Sequence, residues 1–477
     1  MKHHPIPRGA ALVAAATALV AALVLVRLPH LGTGPLDFDE GVYWLSLRSM
    51  RAGNPLFTSV YSSQPPAFLL LAEPPWAWLG GSIAAARAVV LAWSLLAVGA
   101  GAILGWRLAG PVAGSASAVL LAADPRMVEQ SLILQADGPA TALALLALAA
   151  AGCAVTVERR HWRTLAAVCA GAAMALGILT QLFDVGVVPA LIVLLLTSRR
   201  RWVLLGSTAA GALLASGVIL LPMVDAWSAM LDQAVGVHVT TRGLYPGITL
   251  AYVRTFVGRE WPLVLLAALG VLTGWRYRWR AWAVGVAWLG GAFAALLATR
   301  PVFQHHTVQL IPGLVILAAT AIADVAGRLR TSLEGQARLA LWSVAAVAGG
   351  VAGALLLEHT LARLVFPTNT ALVVRLQALI PATALVFGDD QFDQALAARD
   401  APPQLIDTSG VRLNGGRVTA TALERDLRGD PRVCGVLFGA GRLSSVPGLV
   451  SWTSMRYPVR RTLPGGAVLY TLPLCRA

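Results

Sequence analysis

The residues of this chain best suited to chemistry are few and lie in short polar patches. Asp37, Asp39 and Glu40 place three carboxylates within four residues. Carboxylates so close can divide acid and base roles between them, or they can do no more than cap the helix that follows. Asp137 opens a later apolar run in Gln135-Ala136-Asp137-Gly138-Pro139. An acid at that depth is costly unless it is paired or lines a cavity, and it would also suit an N-cap before Pro139. Arg300-Pro301-Val302-Phe303-Gln304-His305-His306 offers a cation and two imidazoles. Adjacent histidines do not face one direction on a helix, and no third ligand stands at a supporting spacing. Phosphate binding or a polar cap is therefore expected there, with no metal centre and no resident cofactor; a divalent ion lacks a ligand set. Ser62-Ser63-Gln64-Pro65-Pro66 starts an apolar helix. Asp225, Asp232, His238, Arg242, Arg254, Arg259 and Glu260 read mainly as solvated loop.

The elements that must hold these residues are membrane helices. Of 477 residues, 57% are hydrophobic and 13% charged, about half the charge of a soluble chain. That excludes an ordinary soluble enzyme, a disordered chain and a disulfide scaffold. About eleven spans are expected: Gly9–Leu28, Ile83–Leu108, Pro111–Ala123, Pro139–Val157, Trp162–Leu179, Val185–Leu196, Trp202–Leu221, Pro262–Trp275, Ala281–Ala298, Val308–Ala326 and Leu339–Leu357. With the N-terminus in the cytoplasm, the inner segments hold fifteen basic residues and the rest of the membrane region nine. Every second loop is thus short and basic, as orientation by positive charge requires. The net charge of +14 accordingly reads as topology and not as nucleic-acid binding.

Two parts then fall outside the plasma membrane: a first loop over 29–81 and a tail over 360–477, the membrane domain being 1–359. Val42 to Met50 predicts a helix lying at the interface. The tail alternates strand-like runs (Ala384–Phe387, Gln404–Asp407, Val433–Phe438, Ala467–Tyr470) with helical ones (Gln391–Arg399, Ala422–Arg428), which predicts a small α/β domain. Gly388-Asp389-Asp390 after the first strand reads as a solvated turn more readily than as a ligand site. Cys434 and Cys475 share the tail and can pair there; Cys153 and Cys169 read as packing residues.

Several patches recur in an order that resembles a known family. An acidic pair follows the first span, a Pro-Pro helix start ends the first loop, and an Asp opens a later span. Leu179-Thr180-Gln181 and the His-x-x-x-Leu-x-Pro pattern of His306–Pro312 follow. The chain is similar to membrane glycosyltransferases of the GT-C fold, in the branch of protein mannosyltransferases and aminoarabinose transferases. The tail segment Asp407-Thr408-Ser409-Gly410-Val411-Arg412 resembles that of bacterial members. The resemblance implies a polyprenyl-phosphate-linked sugar donor, an acceptor that is a glycan, a lipid or a protein, contact with membrane lipid, and inversion at the anomeric carbon. It implies Asp39 as general base, Glu40 as the neighbour that tunes it, and Asp137 as second acid. Gln64, Arg300, His305 and His306 would meet the donor phosphate. Many relatives carry Lys before Pro-Pro where this chain has Gln64, so the phosphate needs another cation; Arg254 and Arg259 are possible sources. A transporter or flippase of a lipid-linked sugar would instead need charge mid-span, which this sequence almost lacks. A non-catalytic envelope scaffold, with the tail as binding module, is the other alternative.

Overall fold

The computed structural model describes residues 8–32, 37–332, 369–416, 418–473 and 475. The membrane part is built from α1 (Arg8–Leu25), α4 (Ile83–Ala109), α5 (Pro111–Ala123), α7 (Asp137–Thr156), α8 (Arg160–Thr180), α9 (Val188–Leu196), α10 (Arg201–Leu220), α12 (Leu250–Tyr277), α13 (Trp279–Ala298) and α14 (Ile311–Ser332). Among the described residues eight helical stretches are long and apolar enough to cross a membrane, and the segments Pro111–Ala123 and Leu182–Leu196 are shorter apolar helices. These ten account for ten of the expected spans. The eleventh, Leu339–Leu357, and the expected boundary at 359/360 lie outside the described residues. Small residues let the helices approach closely. A Cβ on Gly171 or Gly211 would meet the backbone of the facing helix within 2.0 Å, which locks α8 against α10.

Between α1 and α4 the first loop folds into α2 (Phe38–Arg51) and α3 (Ala67–Trp78). α2 was expected at the interface. It is a helix, but Trp44, Leu45 and Leu47 bury themselves against α3, the start of α4 and Phe392 of the tail. α6 (Pro125–Gln130) precedes α7, and two short elements reach the site: α11 (Val237–Thr241) and the 3-10 turn Gln304–Leu310.

The tail is an α/β domain, as its sequence predicts. Its sheet has the order β1 (Leu385–Gly388), β2 (Val433–Phe438), β4 (Val468–Thr471), β3 (Val459–Thr462). β1 and β2 are parallel, and the other two pairings are antiparallel. Three strands were legible as apolar runs. Gln404–Asp407 is instead a turn, with Pro402 and Pro403 starting a 3-10 segment. β3 escaped the reading because Val-Arg-Arg-Thr is an edge strand with Arg460 and Thr462 exposed and the rest only half-buried. The domain carries α15 (Thr370–Leu379) and docks through α16 (Gln391–Leu396), which lies on α2. A Cβ on Gly41 would meet the Phe392 nitrogen at 2.4 Å, so only glycine permits this contact. Arg48 adds an ion pair to Asp400 at 2.8 Å.

Cys434 and Cys475 form a disulfide across 41 residues. Closing a loop of that length removes unfolded-state entropy worth about 4 kcal/mol. The double Cys434→Ala/Cys475→Ala variant is expected to destabilise the tail by about 4 kcal/mol, read as a lower temperature at which the tail becomes open to proteolysis. Cys153 is half-buried and Cys169 is exposed on the surface of α8, so the packing role expected for Cys169 is not what the fold gives it.

Candidate active site

A cavity of about 860 Å³ opens where the first loop, the outer ends of the spans and the tail meet. Its lining includes Asp39, Gln64, Asp137, Arg300, His305 and His306. Six of the seven residues singled out in the sequence are therefore in one place, although they come from four separate segments.

Each is delivered by a local device. Asp37 caps α2, its Oδ1 accepting from the Asp39 N–H at 2.8 Å. The capping role open to the acidic patch thus falls to Asp37, which frees Asp39 to face the cavity from the first turn. Asp137 is the first residue of α7; its N-cap is Ala136, and no side chain caps the helix. The N-cap reading of Asp137 fails, and its carboxylate instead accepts from Gln181 at 3.5 Å, in the Leu179-Thr180-Gln181 turn. The Ser62 hydroxyl bonds both ways with the Gln64 backbone, donating to its carbonyl at 2.9 Å, and so fixes the turn into Pro65-Pro66.

Glu40 goes elsewhere. It is fully buried, receives Arg87 through Nε and Nη2 at 2.8 and 2.6 Å, and accepts from the Leu134 N–H at 2.9 Å. It does not line the cavity. The expectation that Glu40 is a catalytic neighbour of Asp39 is corrected. Successive helical residues point about 100° apart, so an acid beside Asp39 in sequence faces inward to the bundle.

Asp39 is half-buried and reached through the cavity, with protein on every other side. Burial first and Asp37 second push its pKa up, His305 opposes, and Asp407 and Asp137 add to the rise, which brings it to about 7. That value suits proton transfer near neutral pH.

Asp137, His305 and His306 bring possible ligand atoms within 4.8 Å of one another. The third group that sequence spacing did not supply thus comes from a distant helix. His306 Nδ1, however, accepts the Phe303 N–H at 3.1 Å. A ring whose Nδ1 accepts carries its proton on Nε2 when neutral, whereas a metal-bound histidine donates from its second nitrogen. This hydrogen-bond pattern makes His306 a donor toward the cavity rather than a ligand.

Sequence reasoning missed part of the lining. His238 and Arg242, one turn apart on and just after α11, face the cavity; the His238 ring also contacts the Ser63 carbonyl at 3.0 Å. The tail adds Asp407, Asn414 and Arg442. Arg259, offered as a cation for phosphate, pairs with Glu129 at 2.9 Å instead, and neither it nor Arg254 lines the cavity. No local pattern separates Arg242 from Arg254; only the chain path does.

A family model described as dolichyl-phosphate-mannose-protein mannosyltransferase matches residues 63–228. No curated protein matches the sequence. Among solved structures the chain is similar to ArnT from Cupriavidus metallidurans bound to undecaprenyl phosphate, at 16% identity, with a TM-score of 0.68 over 97% of this chain and 98% of that one. The apo form of the same protein gives 17% identity and a TM-score of 0.65 over 95% and 97%. The archaeal oligosaccharyltransferase AglB from Archaeoglobus fulgidus, in complex with an inhibitory peptide and a dolichol-phosphate, gives 13% identity and a TM-score of 0.54 over 96% and 74%. The chain has the GT-C fold of multi-pass membrane proteins, with a small C-terminal sheet domain.

Proposed function

We propose that this protein is a membrane glycosyltransferase that moves a sugar from a polyprenyl-phosphate donor to an acceptor on the outer face of the plasma membrane, with inversion and with Asp39 as general base. The observation that carries this reading is the convergence of Asp39, Asp137, Gln64, Arg300, His305 and His306 on one cavity. In the step, the acceptor oxygen attacks the anomeric carbon and its proton passes to the Asp39 carboxylate. The bond from the anomeric carbon to phosphate oxygen breaks, and the phosphate leaves with the electron pair. A carboxylate near an oxocarbenium-like centre also stabilises it, a role open to Asp137. The leaving phosphate needs cations and donors rather than a protonating acid. Arg242 and Arg300 supply the charge that Gln64 lacks, and His305 and His306 supply donors.

The cavity also carries an apolar flank. Leu182, Val185 and Phe303 line it and are exposed on the outside of the bundle, where a lipid chain stays in the bilayer while its head reacts. The basic inner turns support a cytoplasmic N-terminus and an outer tail, and the Cys434–Cys475 disulfide fits an oxidising compartment.

The test is the purified chain in nanodiscs given a panel of polyprenyl-phosphate sugars. Consumption of one donor with release of polyprenyl phosphate is expected. Translocation of a lipid-linked sugar in proteoliposomes without bond cleavage would overturn the reading in favour of a flippase. The donor role of His306 gives a second expectation: turnover survives dialysis against EDTA unchanged. A loss restored by added divalent ion would make Asp137, His305 and His306 ligands after all.

A further inference from the structure

The C-terminal domain reaches into the cavity through a rigid loop. Asp389, at the end of β1, was expected in a solvated turn but is fully buried. Its carboxylate accepts from the backbone N–H groups of Gly439 at 2.6 Å, Ala440 at 3.0 Å and Leu443 at 2.9 Å. Three such bonds clamp the loop that follows β2, and that loop carries Arg442. The Arg442 guanidinium stacks over the Phe38 ring, 3.5 Å from its centroid. Its Nη2 donates to the Asp389 carbonyl oxygen at 3.1 Å, while its Nε is buried with no hydrogen-bond partner. Phe38 directly precedes Asp39, and all three residues line the same cavity.

The charges that act most on Asp39 are mainly acidic. Asp37 faces it from the helix start, Asp137 from α7 and Asp407 from the tail, with Tyr43 one turn on. Among these close neighbours only the His305 imidazole opposes the acids. Arg242 and Arg300 line the cavity from the membrane domain. Arg442 is the guanidinium that the described part of the tail contributes to the lining, and arginine stays charged throughout the working pH range.

We propose that Arg442 is a positioning residue for Asp39: held by Asp389 and stacked on Phe38, it brings the tail's charge to the base and keeps the base ionisable. This rests on the reading of Asp39 as general base, but its test does not need the sugar. The mutual influence is electrostatic: burial lowers the Arg442 pKa, and Asp389 and then Asp39 raise it again. An opposite charge nearby favours the ionised carboxylate.

The experiment is an infrared pH titration of the purified full chain, following the carboxylic C=O band that disappears in Asp39→Asn. The wild-type midpoint is expected at about 7. Arg442→Met is expected to move it upward by about one pH unit, and Arg442→Lys to return it near the wild-type position. If Arg442→Met does not fold, Arg442→Gln is titrated in its place. A midpoint that stays where it was in the neutral variant overturns the proposal. The reading of Asp39 as base fails on a different result, undiminished sugar transfer by Asp39→Asn, so the two failures are distinguishable.

Discussion

Replacing Asp39 with asparagine is expected to lower the rate of sugar transfer by about 10²- to 10⁴-fold, the usual contribution of a positioned general base. Asparagine keeps the shape and a hydrogen-bonding carbonyl, so donor binding should survive while proton acceptance is lost. The pH dependence carries the same assignment in the wild type. The Asp39 pKa lies at about 7, raised first by burial and then by Asp37. A base must be ionised to act, so the rate should rise through pH 7 and fall away below it. The effect on stability runs the other way. A carboxylic acid with a raised folded pKa binds its proton more tightly when folded, so its contribution to stability is present at low pH and is lost as pH rises between the unfolded value of about 3.9 and about 7. Activity and this part of the stability therefore move in opposite directions across neutral pH. Transfer by Asp39→Asn at the wild-type rate would remove Asp39 from the chemistry, as would a wild-type rate flat from about pH 5 to 9.

The sequence exposed those parts of the site that depend on local pattern. An acid that opens a span must be capped, paired or facing a cavity, and Asp137 stood out on that ground; Asp39 stood out because it matches the first acid of the pair in the family that the chain resembles. The spans followed from run length, and the tail strands β1, β2 and β4 from buried apolar runs. What stayed hidden depends on where the chain goes after a turn. His238 and Arg242 sit in the same kind of polar loop as Arg254 and Arg259, yet the first pair lines the cavity and Arg259 binds Glu129. Asp407 and Arg442 reach the site because α16 rests on α2 at Gly41, a contact between residues some 350 positions apart. Asp389 looks like turn chemistry in sequence because the three N–H groups it binds belong to another strand's loop. The cluster of Asp137 with His305 and His306 stayed hidden for a related reason: spacing compares neighbours in sequence, and Asp137 comes to the histidines from a different helix.

Glu40→Ala should be the most destabilising single change in the first loop. Glu40 and Arg87 are both almost wholly buried and meet through two charge-assisted bonds, and Glu40 also holds the Leu134 N–H. Leu134 stands in the segment that leads into Gln135 and Asp137. One carboxylate therefore ties α2, α4 and the approach to α7 together directly behind the cavity. Removing it takes the carboxylate from a buried guanidinium that keeps a bond to the Leu31 carbonyl at 3.2 Å, and loss of the opposite charge costs about 3–5 kcal/mol. The same principle makes the pair itself a weak source of net stability, since desolvation offsets much of the attraction. Glu40→Gln/Arg87→Met removes both charges and leaves an oxygen for the Leu134 N–H. It should recover a large part of the loss in melting temperature, and sugar transfer should return with the fold, because neither side chain lines the cavity. A catalytic Glu40 would behave differently: the double variant would fold and remain inactive. Melting temperature and turnover measured on the single and double variants thus separate a residue that positions Asp39 through the scaffold from one that touches the reacting atoms. A Glu40→Ala protein that melts like the wild type would sink the structural assignment, since no buried charge would then have lost its partner.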